Sequence, residues 1–272
     1  MIAFIFCITF AFLFSIGITF FFIPVGMYLH YYVPFLLLIA GYIVGVLLLA
    51  LYLFIISRFF SKKKEYKKPN RFASFLLSDI SRFILIHARI KVVVKGRELL
   101  PREHYLFICN HRSNFDPLVF MALFAKKEFA FISKESIGKI PVVGHLMIAA
   151  KYMVIDREDK MKSLQVIKEA GEVIKNQISS IGVYPEGTRS KGKEMNPFHE
   201  GVFSIAKIAH CPVVVGSIQG TELVHKHFPW RRSKITLKIL EVLDPVDYLD
   251  ETVKDVSDYC YNRIRNSLDD IQ

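Results

Sequence analysis

Hydrophobic residues run without interruption through the first fifth of the chain. From position 1 to position 57 there is no Asp, Glu, Lys or Arg. About 20 apolar residues are enough to cross a bilayer core, so this run is long enough for two helices. Residues 23–34 divide it, because they carry two prolines, a glycine and three tyrosines around His30. The pattern predicts a two-helix membrane hairpin with an interfacial turn. A cleaved signal peptide is the alternative, but no basic residues precede the apolar run.

Beyond residue 71, short apolar runs alternate with helical patterns. Residues 71–88 are amphipathic and predict a helix that lies either on the membrane surface or against a core. Helical patterns also cover residues 158–178, 200–209 and 250–268. The β-rich runs are IKVVV (90–94), YLFIC (105–109), FAFIS (129–133), YMVID (152–156), SIGVY (180–184), CPVVVGSI (211–218) and KITLKIL (234–240). This alternation predicts an α/β fold with a mixed, largely parallel sheet flanked by helices.

Positive charge is concentrated just after the predicted hairpin. The chain has a formal net charge of +11, and residues 58–95 hold 11 Lys/Arg against Glu65 and Asp79, a net of +9 (11 − 2). The positive-inside rule therefore predicts that this segment and all that follows are cytoplasmic. The basic residues are expected to attract anionic lipid head groups, or they are only a stop-transfer flank. Because the basic excess lies beside a bilayer, no nucleic-acid partner is predicted.

The patterns divide the chain into three parts. We predict a membrane hairpin over 1–57, a basic juxtamembrane linker over 58–71 and a cytoplasmic α/β domain over 72–272. The cysteines are widely spaced and form no CxxC pair, so neither a disulfide framework nor a metal site is predicted. They are Cys7, Cys109, Cys211 and Cys260.

A polar loop follows the run YLFIC. His111 comes at the end of the predicted strand, and Asp116 and Pro117 precede an apolar helical pattern. A His at a strand's carboxyl end, with a carboxylate about one turn away, suits a hydrogen-bonded acid–base pair. The alternative is structural, because Asp before Pro at a helix start is a good N-cap.

A second polar loop, PEGTRS at 185–190, follows the run SIGVY. It offers backbone N–H groups, a hydroxyl and a guanidinium together, which suits a phosphate. It lacks the GxxxxGK[ST] spacing, so no nucleoside triphosphate is predicted. An ordinary polar turn is the alternative for this loop taken alone.

Together the two loops resemble the glycerolipid acyltransferase family, in particular its bacterial 1-acyl-sn-glycerol-3-phosphate acyltransferases. The resemblance rests on Asn-His-x4-Asp at 110–116 followed by Pro-Glu-Gly-Thr-Arg-Ser at 185–190. Between them lies a block with Lys134, Pro141, Gly144 and Arg157 in the family's order, and residues 196–221 resemble the last block. His199 and Gly216 depart from the family's more usual Lys and Pro.

The resemblance implies a role for each site residue. His111 would be the general base and Asp116 would orient it, as the acid does in a triad. The acceptor's phosphate would be held by Glu186, Gly187, Thr188 and Arg189, with Lys134 as a second cation. The reaction implied is acyl transfer from a thioester, acyl-CoA or acyl carrier protein, to the sn-2 hydroxyl of lysophosphatidate, giving phosphatidic acid. No metal and no cofactor beyond that thioester co-substrate is implied.

Three alternatives remain open from the sequence. The acceptor could be glycerol 3-phosphate or another lysophospholipid, or a phospholipid could serve as the donor. The chain could also be a non-catalytic membrane tether that binds anionic lipid through residues 62–71. A tether would not need His111, Asp116 and Arg189 together.

Overall fold

The structure is a computed structural model of the full chain. It describes residues 1–22, 32–61, 64–125, 128–156, 159–190, 192 and 194–269. The chain divides into two compact units, Met1–Ser61 and Lys62–Gln272. The predicted boundaries at 57 and 71 lie close to this division, and they stay a prediction.

The first unit is a pair of apolar helices, α1 (Ile2–Phe22) and α2 (Tyr32–Ser57). By length and composition both could cross a membrane. They pack antiparallel and closely: the hydroxyl of Ser15 donates to the Pro34 carbonyl at 3.0 Å, and a Cβ on Gly41 would lie 3.0 Å from the Ala11 backbone. Most of the predicted interfacial turn, residues 23–31, lies outside the described residues. Its last three residues instead begin α2.

The second unit is built on a sheet with the strand order β1-β7-β6-β2-β5-β3-β4. Each strand matches one of the apolar runs predicted from the sequence, and the fold class predicted above is confirmed. The strands are β1 (Ile90–Lys95), β2 (Leu106–Cys109), β3 (Phe129–Lys134), β4 (Met153–Ile155), β5 (Ser180–Val183), β6 (Val213–Gln219) and β7 (Ser233–Leu243).

Five neighbouring strands, from β6 to β4, run parallel, whereas β7 is antiparallel to β6 and β1 is parallel to β7. The carboxyl ends of β2 and β5 therefore lie side by side. Because β7 runs the other way, its amino end lies at that same edge of the sheet. In open α/β sheets this carboxyl edge is where ligands bind.

Helices cover the sheet. They are α3 (Arg71–His87), α4 (Phe115–Phe124), α5 (Glu135–Gly138), α6 (Val143–Ala149), α7 (Lys160–Lys175), α8 (Ser204–Ala209), α9 (Val224–His227), α10 (Pro245–Tyr248) and α11 (Val253–Asp269). The amphipathic helix α3 buries Leu76 and Leu77 and bonds to α4, because Arg82 Nε donates to the Ala122 carbonyl at 2.9 Å. Of the two sequence alternatives for this helix, the structure shows packing against the domain.

An aromatic cluster fills the space between β2, β3, β5 and α4. Phe120 lies edge-on to both Phe107 and Phe131, with ring centroids 5.2 and 5.0 Å apart, and Phe131 stacks on Tyr184 at 4.8 Å. Gly182 makes room for Phe131, since a Cβ there would lie 2.6 Å from its ring. The cluster fixes the ring of Tyr184 at the carboxyl edge of the sheet.

Candidate active site

His111 and Asp116 form a hydrogen-bonded pair in the first loop, residues 110–116, at the end of β2. His111 Nδ1 lies 2.8 Å from Asp116 Oδ2, and their side chains are 16% and 0% exposed. A carboxylate only accepts, so Nδ1 carries a proton, and in the neutral form of the ring the free lone pair is on Nε2. The pair predicted from the His-x4-Asp spacing is therefore formed, and its chemistry is that of a general base held in one tautomer.

The alternative that Asp116 is an N-cap is wrong. Helix α4 begins at Phe115, and its N-cap, Asn114, makes no capping bond through its side chain. The Asp116 carboxylate instead points back into the loop, where Oδ2 also accepts from the backbone N–H groups of Arg112 at 2.7 Å and Ser113 at 2.8 Å. The other oxygen, Oδ1, is buried and has no partner among the described residues. The carboxylate thus shapes the loop as well as orienting the imidazole.

Two further residues hold His111 in place. Asn110 is fully buried and bonds to Ile218 of β6 in both directions, as donor to its carbonyl at 3.0 Å and acceptor from its N–H at 2.8 Å. The ring of Tyr184 stacks on the imidazole with centroids 4.4 Å apart and planes 15° from parallel. Burial, with the nearby Asp116 charge, raises the pKa of the Tyr184 hydroxyl well above its usual value, so this hydroxyl stays protonated and neutral.

Cys109, directly before the loop, is not an activated nucleophile. The thiol is fully buried, and that burial raises its pKa well above the ordinary value. A nucleophilic cysteine needs the thiolate form, which this environment disfavours. Cys109 is therefore not a nucleophile for His111 to activate.

The second loop, residues 185–190, is tied to the first by Glu186. This side chain is 2% exposed, and its Oε1 accepts from the backbone N–H of His111 at 2.7 Å. Its Oε2 accepts from the hydroxyl of Ser190 and from the backbone N–H of Asn196. Both oxygens are thus engaged by the protein, and Glu186 is placed to brace the two loops rather than to touch an acceptor.

The exposed part of the second loop faces a polar cavity of about 410 Å³. Thr188 and Arg189 line it, together with Arg112 of the first loop. The Arg112 guanidinium donates to the Gly192 carbonyl at 3.1 Å and lies 3.9 Å from the Glu222 carboxylate. The lining is Arg112, Ser113, Thr188, Arg189, Ser190, Gly192, Glu222, Leu223, His225 and Lys226. Its positive charge suits a phosphomonoester.

A second, mostly apolar cavity of about 370 Å³ lies between α7 and the strand ends. Gly187, at φ +69°, lines this cavity and not the polar one. Tyr184 lines it too, so one residue borders both the apolar cavity and His111. The other lining residues are Ile132, Ile155, Lys160, Ser163, Leu164, Ile167, Val183, Pro185, His199, Gly201 and Val202.

Lys134 ends β3 at the same edge of the sheet, where its side chain is exposed and lines neither of these two cavities. Arg157, the last residue of the intermediate block, lies outside the described residues. The structure therefore brings together His111, Asp116, Thr188 and Arg189, with Glu186 behind them and Gly187 turned toward the apolar cavity.

Sequence reasoning missed several residues of the site. Arg112 adjoins His111 in sequence, so its position alone could have marked it. Lys226 and His225 lie in α9, far along the chain. The reversed direction of β7, the strand that follows α9, brings them to this edge. His225 contacts Phe115 with ring centroids 5.7 Å apart.

Comparison with known proteins identifies the family. A family model described as Acyltransferase matches residues 91–219, which include both loops. A 1-acyl-sn-glycerol-3-phosphate acyltransferase from Salmonella typhimurium is 30% identical over 173 residues, covering 61% of this chain and 69% of that protein. The chain belongs to the Acyltransferase family. It is an enzyme of the O-acyltransferase type, and the tether alternative falls away.

Other acyltransferases agree with this assignment. The 1-acyl-sn-glycerol-3-phosphate acyltransferase of Haemophilus influenzae is 26% identical over 163 residues, covering 60% of this chain and 68% of that protein. One from Limnanthes douglasii is 29% identical, and there the match covers 62% of this chain but only 59% of the plant protein. A crystal structure of the 1-acyl-sn-glycerophosphate (LPA) acyltransferase from Thermotoga maritima superposes with a TM-score of 0.61 at 25% identity, covering 82% and 88% of the two chains.

Proposed function

We propose that this acyltransferase moves an acyl chain from a thioester donor to the sn-2 hydroxyl of 1-acyl-sn-glycerol 3-phosphate, giving phosphatidic acid. The observation that carries the proposal is a tautomer-fixed base, His111, beside a cavity lined by Arg112, Arg189 and Lys226. The names of the relatives support the same acceptor.

His111 acts as the general base in this proposal. Its Nε2 takes the proton of the acceptor's sn-2 hydroxyl while that oxygen attacks the thioester carbonyl. The tetrahedral intermediate then collapses and the C–S bond breaks. The sulfur takes the proton held by the imidazolium and leaves as a thiol. Asp116 stabilises the positive charge that develops on the ring. The reaction proposed uses no cofactor or metal beyond the thioester co-substrate, acyl-CoA or acyl carrier protein.

The polar cavity takes the phosphate of the acceptor. Arg189 is exposed and can present a bidentate fork, and Thr188 offers a hydroxyl beside it. Arg112 and Lys226 add two more cations to the cavity wall. Lys134, at the same edge, remains a candidate for a second contact to the phosphate, and Glu186 acts by holding the loops together.

The apolar cavity beyond Tyr184 suits an acyl chain. Its wall is made by aliphatic side chains of α7 and of the strand ends, including Leu164, Ile167 and Val183. A base with a cationic cavity at its neighbour Arg112 and an apolar cavity at Tyr184 matches a substrate with a phosphate head and a fatty tail.

A matched substrate panel tests the proposal. The purified full chain is offered lysophosphatidate, glycerol 3-phosphate and lysophosphatidylcholine, each with acyl-CoA and with acyl-carrier-protein thioester. We expect the highest kcat/KM for lysophosphatidate, because it alone combines an acyl tail with a phosphomonoester. A preference for glycerol 3-phosphate or for lysophosphatidylcholine would replace the acceptor we propose, and phospholipid as the required donor would replace the thioester.

We also infer that the enzyme is an integral protein of the cell membrane with its α/β domain on the cytoplasmic face. The support is the basic segment that follows α2. The test is labelling of His30→Cys and Tyr66→Cys variants in intact cells with an impermeant thiol reagent. The native cysteines are buried, so the background is low. We expect labelling at position 30 only, and labelling at position 66 would indicate the opposite orientation.

A further inference from the structure

Residues 228–232, Phe-Pro-Trp-Arg-Arg, form an exposed loop between α9 and β7, here named the FPWRR loop. Phe228 is 52% exposed and Trp230 is 84% exposed. Trp230 is the single tryptophan of the chain. Large aromatic side chains on the surface of an α/β domain gain nothing from water, so their exposure indicates a surface that meets something less polar.

The loop is held in one shape by backbone hydrogen bonds. Phe228 N–H donates to the Val224 carbonyl at 2.9 Å, and Arg231 N–H donates to the His227 carbonyl at 2.7 Å. The guanidinium of Arg89, at the entry to β1, donates to the Pro229 carbonyl at 3.0 Å. The aromatic pair is therefore presented on a fixed support.

The charged residues along the sequence that contains the loop are all of one sign. Residues 223–240 contain no Asp or Glu. They contain five cationic residues: Lys226, Arg231, Arg232, Lys234 and Lys238. Glu222, which ends this stretch on its amino side, lies within ion-pair distance of Arg112. Exposed aromatics flanked by arginines match the interface of an anionic bilayer, where rings sit at head-group depth and cations pair with phosphate.

The sheet register places the loop beyond the active site, on the same edge. In β6, Ile218 is bonded to Asn110 and pairs with Leu237 of β7. Ser233, where β7 begins, lies four residues farther out, which is about 13 Å at the usual rise of a strand. A membrane that touches the FPWRR loop therefore lies on the side from which His111 is reached.

From these observations we propose that the FPWRR loop is a membrane-contact site, with an anionic lipid surface as its partner. The loop lies outside the residues matched by the family model, which end at 219. The proposal concerns membrane contact and does not depend on the acceptor proposed above.

Trp230 fluorescence tests the proposal directly. The full chain is placed in nanodiscs whose lipids carry bromine on the upper part of the acyl chains, with either phosphatidylglycerol or phosphatidylcholine head groups. We expect strong quenching in phosphatidylglycerol discs, with emission at shorter wavelength, and weaker quenching in phosphatidylcholine. Replacing Arg231 and Arg232 by Gln should lower the ratio of docked to undocked loop about fivefold for each charge lost. Raised salt should act in the same direction.

A matched control moves the reporter. In Trp230→Phe with Val246→Trp, the tryptophan occupies a residue that is 86% exposed, in α10 beyond the other end of β7. That end lies about 33 Å from the loop along the strand, so no quenching is expected. His111→Ala should quench like the unchanged chain, which separates this proposal from the catalytic one. An unquenched Trp230 in phosphatidylglycerol would overturn membrane contact, and equal quenching in both lipids would overturn the anionic assignment.

Discussion

The first and second loops meet at one edge of the sheet but are built differently. The first loop buries Asn110 and Asp116 and leaves His111 16% exposed. The second loop buries Glu186 and Ser190 but exposes Thr188 and Arg189. A buried, bonded side chain acts through fixed geometry, whereas an exposed one acts when a ligand arrives. Changes at His111 and Asp116 of the first loop should therefore lower kcat, and changes at the exposed positions of the second should raise KM.

The largest effect is expected from His111→Ala. Loss of a positioned base should lower kcat by about 10² to 10⁴, with binding of lysophosphatidate nearly intact. The measurement is steady-state kinetics with a melting temperature as a folding check. His104→Ala, at the other end of β2, is the matched control and should stay active. A folded His111→Ala enzyme with full activity would refute the mechanism.

Asp116→Asn should lower kcat by about 10- to 100-fold, because the amide oxygen can still accept from the loop but no charge supports the imidazolium. The kinetic measurement is the same. Asp159→Asn is the control, since Asp159 is a true N-cap of α7 and Asn caps equally well. Equal, unchanged kcat values in the two variants would leave Asp116 with a structural role alone.

Glu186→Gln tests the brace between the loops. Both oxygens of Glu186 accept hydrogen bonds, but the glutamine amide has only one oxygen, so its NH₂ group must face an N–H or O–H donor. This loss should lower the free energy of unfolding by about 1 to 3 kcal/mol. Displacement of the His111 backbone should also lower kcat, by about tenfold. Thermal unfolding and kinetics measure the two effects, with the exposed Glu200→Gln as control. A change confined to the KM for the acceptor would indicate that Glu186 contacts the phosphate of the acceptor.

Arg189→Lys keeps the charge but loses the bidentate fork. We expect the KM for lysophosphatidate to rise about tenfold, with little change in kcat or in the donor KM. Arg97→Lys, at the far end of β1, serves as the control. If only the donor KM rises, the phosphate lies elsewhere in the cavity.

The smallest effect should come from the basic linker, which belongs to neither loop. Replacing five linker lysines by Gln should reduce activity severalfold on anionic vesicles and less in neutral micelles, and the difference should close as the salt concentration rises. The five are Lys62, Lys63, Lys64, Lys67 and Lys68. Lys62 and Lys63 lie outside the described residues, and their role rests on the sequence. The control is the Gln triple variant at Lys162, Lys168 and Lys175 of α7. Equal loss in both media would mean that the linker serves topology alone.

Much of this molecule could be predicted because the signals are local. The β-rich runs predicted every strand of the sheet that the structure describes. The His-x4-Asp spacing predicted a hydrogen-bonded pair whose two residues are about one turn of chain apart. The bonds of Asn110 to Ile218 and the arrival of Lys226 could not be predicted, because they depend on strand order and on the reversal of β7. The family resemblance implies that Glu186 meets the phosphate, but its carboxylate instead accepts from the backbone N–H of His111, a bond that depends on how the two loops meet at the sheet edge.

The insertion of β5 between β2 and β3 also leaves β2 without its sheet neighbours during part of synthesis. β2 is complete at Cys109, yet β5 begins only at Ser180. At about 5 to 20 residues per second, translation takes roughly 4 to 15 s to cover that distance. During this time the fully buried strand β2 has both edges unpaired, a condition that favours aggregation. Nascent chains that end before β5 therefore carry His111 and Asp116 without the brace from Glu186, and the bonds of Asn110 to Ile218 form later still, once β6 has been made.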